Sequence, residues 1–357
     1  MDYQSRRFAF FSPTYPVGQM VFTGAYTGYG FADFLAGRPI SSELDVNQFF
    51  SLLRFQTSFY VQDNWRVTDR LTLNYGLRDD TVTPWKERSN RLAGFSPLNG
   101  GQLIPVGTAP FTGDSVTSGR YTNFGPRFGF AYSIDQKTVL RGGMGIFYAF
   151  ENDASNLNQA VNAPFHGSLV QNNSSTDYAA ALPISAGFPA ARPALYPTAG
   201  TNFVYYPKSY KNPSATEFNL NIQRQLSSRD VLSIAYVGQV GVHVLATPNI
   251  NLALPGPGAV AARRPFPNLA DGTALCPCGN SSYQSLQASY IYTSPRGLHL
   301  QAGYTYSHSL DDTSGTGNLL AMQNPYNYAS YYGNSDFDLR HSLVLSQTYD
   351  LPFGKGK

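Results

Sequence analysis

Two alternating segments joined by a four-residue turn, at Phe55–Asp80, constrain this chain more than any other feature. Every second residue of the first segment gives Phe55, Thr57, Phe59, Val61, Asp63 and Trp65. The set between them is Gln56, Ser58, Tyr60, Gln62, Asn64 and Arg66. After Val67–Arg70 the pattern resumes, with Leu71, Leu73, Tyr75 and Leu77 against Thr72, Asn74, Gly76 and Arg78. A period of two specifies a β-strand with one apolar and one polar face. Each strand runs about ten residues, enough to cross a bilayer when tilted. Arg, Asn and Gln on the polar face suit a wall facing water inside a barrel rather than a dry core.

The hairpin recurs three times. Asn123–Ile134 carries Phe124, Phe128, Phe130, Tyr132 and Ile134 on one face; Asp135–Lys137 turns it into Thr138–Phe150, with Leu140, Met144, Ile146, Tyr148 and Phe150. Thr216–Leu226 sets Phe218, Leu220, Ile222 and Leu226 against Glu217, Asn219, Asn221, Gln223 and Gln225; Ser227–Asp230 leads to Val231–Val244, with Leu232, Ile234, Tyr236 and Val240. Tyr283–Thr293 sets Leu286, Ala288, Tyr290 and Tyr292 against Gln284 and Gln287, a weaker segregation. Ser294–Gly297 then leads to Leu298–His308, with Leu298, Leu300, Ala302, Tyr304 and Tyr306. A ninth strand, Phe337–Leu351, carries Leu339, Leu343, Leu345, Tyr349 and Leu351, and no return strand follows it.

Connections within pairs are short and polar, whereas those between pairs are long: Thr81–Thr122, Glu151–Ala215, Leu245–Ser282 and Asp311–Asp336. Compact domains rarely use many loops longer than about 15 residues. Outer-membrane barrels place long loops outside and short turns on the periplasmic side. The expected fold class is therefore all-β, an antiparallel transmembrane β-barrel, here about nine strands of a larger one. Residues 1–54 are expected to form an outside loop or lead-in, 55–351 the partial barrel, and 352–357 a periplasmic turn where the chain is truncated. Within the lead-in, Gly30–Gly37 suits one short helix, because Phe31, Phe34 and Leu35 share a face.

Composition agrees: 14% aromatic, only 13% charged, with 25 Tyr and 24 Phe, as aromatic girdles require. Mean hydropathy is −0.26, as expected when half of each strand is polar. The chain lacks the roughly 18 uninterrupted apolar residues of a spanning helix; Ala179–Leu195 comes closest and is broken by Pro183, Pro189, Arg192 and Pro193. The net charge of +3 is too small and dispersed for nucleic acid. Met1–Arg7 lacks the apolar run of a signal peptide, which, with the unpaired last strand, implies a fragment lacking both ends.

Candidate chemistry is sparse. Cys276-Pro277-Cys278 has too few neighbouring ligands for a tetrahedral metal site and reads as incidental or locally oxidised thiols. The histidines are His166, His243, His299, His308 and His341. His308 with Asp311 and Asp312 could bind a cation, but these read as rim polar residues. Gly142-Gly143-Met144-Gly145 lies within a strand and lacks the following helix of a phosphate cradle, so it reads as small positions where a barrel curves. Trp65, Tyr75, Tyr132, Tyr148, Tyr236, Tyr304 and Tyr306 could stack on a ligand; in the apolar register they read as lipid-facing or girdle residues. Ligand contact is expected in Glu151–Ala215 and Leu245–Ser282, rich in Asn, Ser and Tyr. No catalytic, cofactor-binding or metal-ligating residue is assigned, no cofactor is expected, and the ligand-binding residues remain unspecified.

Phe59–Thr68 followed by Leu71–Arg78 resembles the TonB-dependent outer-membrane receptors, most closely their Oar-like branch. Similar to the same branch are Phe22-Thr23-Gly24 with Gly30–Gly37, then Asn123–Tyr132, then Phe337–His341 leading to Asp350–Lys357. Asn64 departs from the family where an acid is common, and Asp79 where an aromatic is usual. Asp79, in the outward register, should sit above the apolar band or mark a strand end. The resemblance implies an active transporter of the bacterial outer membrane, driven by the TonB–ExbB–ExbD complex through an N-terminal plug, with a barrel of about 22 strands. That branch usually adds a carboxypeptidase-regulatory-like domain before the plug. Neither plug nor TonB box is matched in this chain. The implied partners are outer-membrane lipid, the missing plug and remaining strands, TonB–ExbB–ExbD, and an extracellular ligand. The reading is a non-enzymatic part of a ligand-uptake receptor. Its rivals are a passive porin-like channel and a secreted all-β adhesion module.

Overall fold

A computed structural model describes residues 1–10, 15–46, 49–150, 162–179, 181–188, 200–314, 324–351 and 353–354. Its main element is a twelve-stranded sheet. Two members are two-residue rim strands, Lys86–Glu87 and Gly333–Asn334, which leaves ten long ones. These are β1 (Asp2–Phe10), β2 (Phe50–Arg66), β3 (Leu71–Val82), β4 (Phe124–Ser133), β5 (Thr138–Tyr148), β6 (Ser214–Gln225), β7 (Asp230–Ala246), β8 (Cys276–Thr293), β9 (Leu298–Asp311) and β10 (His341–Tyr349). Each pairs antiparallel with its sequence neighbour, a plain up-and-down meander.

The nine strands read from the sequence are present, with β10 beginning at His341 rather than Phe337. The structure adds one: residues 1–54 are not all loop, because β1 pairs with the upper half of β2, from Asp2 opposite Ser58 to Phe8 opposite Leu52. The short helix forms at Gly30–Leu35, and Phe31 and Leu35 on it are exposed. The Pro352–Lys357 end lies largely outside the described residues.

Register explains why these sequences form this sheet. One row runs Leu71–Tyr132–Leu140–Ile222–Ile234–Ala288–Tyr304–Leu343 across eight strands. The adjacent row on the opposite face runs Thr72–Ala131–Arg141–Asn221–Ala235–Gln287–Thr305–Ser342. A one-residue slip in any strand would exchange the two faces, so the pattern pins every register. The apolar rows are not buried within the chain: Val61, Leu220 and Leu343 are 70%, 49% and 66% exposed. Such a surface is stable against hydrocarbon and not against water.

Polar residues interrupt the outer rows, Asp63, Asp79 and Gln284 among them. Asp63, next to the short-turn rim, accepts a hydrogen bond from Tyr75 Oη at 2.9 Å. Asp79 lies opposite Phe59 and Phe124 and accepts the Asn123 N–H at 2.9 Å, while β3 continues past it to Val82, so it does not mark a strand end. Gln284, assigned above to the polar face, sits instead in the register of Leu286, where Tyr236 Oη donates to it. Gly142 is covered by the Phe130 ring, which would lie 2.6 Å from an added Cβ. That glycine run thus belongs to a strand interior.

The short turns are closed by their own side chains. Thr68 Oγ1 accepts the Arg70 and Leu71 N–H groups; Asp135 accepts Lys137 N–H at 2.7 Å; Ser227 and Ser294 Oγ accept the amides of Arg229 and Arg296. Small polar residues favour turns by this local bonding. At the other rim the strands overshoot. β7 and β8 have 17 and 18 residues. That is roughly 55–60 Å of strand and, tilted, about 45 Å of height, against an apolar band about 25 Å tall.

The register predicts a sharp contrast between neighbours. In the full-length protein folded into vesicles, Ile222→Arg should destabilise by about 2–4 kcal/mol, falling toward zero if the position lies near the rim. Asn221→Arg, one residue away on the wet face, should leave the denaturant midpoint nearly unchanged. Equal penalties would mean a dry core on both faces.

Candidate functional site

The inner face of the sheet is a wall of hydrogen-bonding groups. Near the long-connection rim, Arg78 Nε donates to both Asp80 oxygens at 3.1 and 3.0 Å and its Nη2 to Ser58 Oγ at 2.9 Å, while Ser58 Oγ donates to Asp80. Lower down, Arg141 donates to Gln223 at 3.2 Å and Asn221 to Ser233 at 2.7 Å; Arg127 lies 4.6 Å above the Phe147 ring. These contacts join neighbouring strands and hold polar side chains toward the interior.

Above this wall the inner register changes character. Phe50 and Leu52 continue the face of Gln56 and Ser58, yet are 2% and 0% exposed. They are buried by the long connections, which fold into a core of Trp85, Leu92, Val106, Phe111, Val116, Val204, Tyr206 and Leu275. A second cluster joins Phe95, Leu103, Ala163, Phe203 and Leu269, with Phe95 and Phe203 stacked at 4.1 Å and Phe266 edge-on to Phe95 at 4.9 Å. Gly94 and Gly272 let rings approach: an added Cβ would lie 2.4 Å from Phe111 and 2.2 Å from Phe203. Short strands frame the core, Ala93–Ser96 against Gln102–Pro105 and Thr201–Tyr205 parallel to Leu269–Ala274.

Buried polar residues tie the connections together. Asn162 Nδ2 donates to the carbonyls of Ala93 and Val204 and its Oδ1 accepts Val204 N–H, all at 2.8 Å. Asn251, fully buried, donates to the carbonyls of Leu269 and Ala270 and accepts Phe266 N–H at 2.8 Å. Glu87 accepts Arg91 Nη2 at 3.0 Å and the amides of Ser51, Ser89 and Arg91 at 3.1, 2.7 and 3.0 Å, fastening the turn after β3 to the top of β2. Burial works against its charge, but the Arg91 guanidinium and these amides outweigh it and hold the carboxyl below the ordinary glutamate value. A further lobe, Gln19–Val21, Ser41–Val46 and Gly167–Asn172, forms a three-stranded sheet. There Asp33 accepts Thr27 N–H and Oγ1–H at 3.0 and 2.8 Å.

The structure disperses the residues considered for metal binding. His308 turns to Asp338 at 3.4 Å and Arg340 at 3.1 Å; Asp311 accepts Ser314 Oγ–H and Asp312 the Asn280 N–H. The Ser309 amide, followed by His308 and Arg340, overcomes burial and lowers the Asp338 carboxyl. His341 bonds Tyr304 Oη at 2.8 Å, and His243 sits at positive φ in the irregular top of β7. Burial pushes His166 down, opposed by Asp45. Among the described residues no group of three His, Cys, Asp or Glu is placed to hold a metal ion. Cys276 and Cys278 are joined as a disulfide, and they begin β8 rather than lying in a loop. Trp65, Tyr75, Tyr132, Tyr236, Tyr304 and Tyr306 lie exposed in the outer register. Residues 151–161, 180 and 189–199 of Glu151–Ala215 lie outside the described residues; the rest of that segment and of Leu245–Ser282 builds the folded lobes and ends of β6, β7 and β8. Where the first core meets the wall, a cavity of about 30 Å³ is lined by Arg54, Thr83, Trp85, Ser118, Arg120 and Asn212 among others.

Glu87 gives a pH test. Its folded pKa is depressed, so its stabilisation is complete above the ordinary value of 4.5 and is lost as pH falls through the lower folded value. Hydrogen-exchange protection of residues 83–116 should fall on acidification below about pH 4.5. Glu87→Gln should lower protection at pH 7, by about 1.5–3 kcal/mol, and flatten that pH dependence. Protection unchanged by the substitution would show that the carboxylate does not fasten the core.

Solved structures similar to this chain are outer-membrane proteins. The FrpB iron transporter from Neisseria meningitidis has a TM-score of 0.46 at 11% identity, covering 86% of this chain and 32% of that one. The outer membrane transporter YddB from Escherichia coli scores 0.43 at 13% identity, covering 87% and 38%. The ferripyoverdine receptor of the outer membrane of Pseudomonas aeruginosa scores 0.42 at 13% identity, covering 85% and 27%. The chain thus spans about a third of the length of the structures it resembles. No curated protein matches the sequence. The family model described as outer membrane beta barrel domain matches residues 1–357, from end to end, and the chain belongs to that family, an all-β protein of the outer membrane.

Proposed function

We propose that this chain is part of the barrel of a TonB-dependent outer-membrane receptor that takes up a ligand, with the inner wall and the folded connections as its binding surface. The carrying observation is the continuity between the two: the face that is polar at Asn219 and Asn221 becomes, at Phe50 and Leu52, the floor of an ordered lobe at one rim only. A passive channel needs a polar wall but no ordered roof; a receptor needs both. In this reading the short turns face the periplasm and the lobe faces outward. A plug in the lumen couples the barrel to TonB–ExbB–ExbD, and the ligand is held by Asn, Ser, Tyr and Arg groups rather than by covalent chemistry. The finer resemblance to the Oar-like branch rests on Phe22–Gly24, Gly30–Gly37 and Phe337–His341.

Two measurements test this. In cells, deleting the full-length gene should abolish uptake of some nutrient that the wild type takes up, and disrupting TonB should abolish the same uptake. Uptake that survives loss of TonB would make the protein a passive channel. An epitope tag inserted within residues 254–263 should be reached by antibody on intact cells, and one in Ser227–Asp230 should not. The reverse pattern would overturn the orientation.

A further inference from the structure

We propose that the inner side of the short-turn rim is the seat of an acidic polypeptide segment, supplied by the plug of the full-length receptor. Each short turn carries an exposed base: Arg70, Lys137, Arg229 and Arg296. Among the described residues none of these side chains has a hydrogen-bond or ion-pair partner. Backbone pairing places the first three in the inner register. The carbonyls of Arg70, Lys137 and Arg229 accept the amides of Ser133, Gln225 and Thr293. Those residues belong to the inner rows, opposite Val139, Val231 and His299. Arg66, opposite Thr72, and Arg141, opposite Asn221, bring further bases to the same end of that face.

The acids of this rim are placed or spent differently. Asp63 and Asp230 lie in the outer register, the first accepting Tyr75 Oη–H, the second Ser227 Oγ–H and Tyr290 Oη–H. Asp135 accepts the hydroxyl of Thr138, also in the outer register, at 3.1 Å, and Arg224 lies 4.0 Å from it. Asp69 closes on Arg66 at 2.8 Å. Among the described residues Asp350, bonded through its N–H to Gly297, is the acid left beside the inner bases. Charge is thus sorted across the wall, bases inward and acids outward. That sorting decides the partner. An anionic lipid headgroup would meet the outer carboxylates. A small ligand is too short, because neighbouring turns are two strands apart and the bases span an arc of roughly 30 Å. A polypeptide is long enough, and bases roughly 10 Å apart, about a Debye length at 0.1 M salt, act on it together. One exposed ion pair contributes little, but a row of them fixes orientation and register. The receptor reading, on which this inference rests, puts a plug against the inner face.

The test uses the full-length protein in isolated outer membranes. A carbodiimide joins an amine to a carboxylate that touches it, and Lys137 offers an amine at this rim. Mass spectrometry should find Lys137 joined to an Asp or Glu of the plug, with a yield that falls about threefold or more when salt is raised to about 1 M. Hydrogen exchange in that plug segment should speed up about tenfold in the Arg70→Glu, Arg229→Glu double variant. Lys137 joined to Asp135 alone, to a separate protein or to nothing would overturn the proposal and leave the receptor reading standing. A full-length chain with no domain inside its barrel would end both. Should the double variant fail to fold, the Lys137 linkage in the wild type decides alone.

Discussion

In hydrocarbon there is no water to satisfy a backbone N–H or C=O, and each group left unpaired costs several kcal/mol. Everything in this fold follows from that. Ten long strands pair in sequence order, because hairpins satisfy both strands of a pair with the shortest connections. The two outermost strands, β1 and β10, pair on one side only among the described residues. A sheet edge that lies in lipid has to be paired to be stable there. The same demand explains the side chains that interrupt the outer rows. Tyr75 Oη on Asp63 and Tyr236 Oη on Gln284 give these two intruding polar groups a partner within the face.

Once the strands leave the bilayer, the constraint relaxes and a different one takes over. A long polypeptide connection stays ordered only if it buries enough apolar surface to offset its conformational entropy. The inner register of β2 makes the change within a few residues, from Ser58 and Gln56 through Arg54 to Leu52 and Phe50. The lobe core is seated on that apolar step. Its backbone is too irregular to satisfy itself by ladders, so Asn162, Asn251 and Glu87 supply the missing donors and acceptors from within.

The barrel strands were legible in the sequence because each faces two solvents at once, which writes a period of two into it. Strand β1 was not. Its alternate sets, Tyr3, Ser5, Arg7 and Ala9 against Asp2, Gln4, Arg6 and Phe8, show no apolar face, because it pairs with the upper half of β2 rather than with the lipid-crossing half. Gln284 was assigned to the wrong face because its polarity was weighed above its spacing: it shares the alternation of Leu286, and the outer row holds it through the Tyr236 hydroxyl. The lobe was read only as loop. Phe95, Phe203 and Phe266 come from distant segments with no shared period, and nothing local in Gly- and Pro-rich sequence reveals that they meet. The one available signal was that the alternation continues upstream of Phe55 through Leu52 and Phe50 on what should have been the wet face.

That last point bears on how such a surface can bind. A ligand held by mobile loops must offset the entropy of ordering them, at roughly 0.5–1.5 kcal/mol for each immobilised side chain. Here that cost falls largely on folding, through the Phe95–Phe203–Phe266 cluster and the buried asparagines. On the proposed receptor reading, polar groups on the lobe and on the wall below are then held in place before a ligand arrives. A roof built this way favours selectivity over adaptability, because a fixed set of donors and acceptors penalises any ligand that leaves one of them unpaired. On the receptor reading proposed above, the fastening of roof to wall, around Glu87, Arg54 and Trp85, is then the place where binding and barrel stability would be coupled.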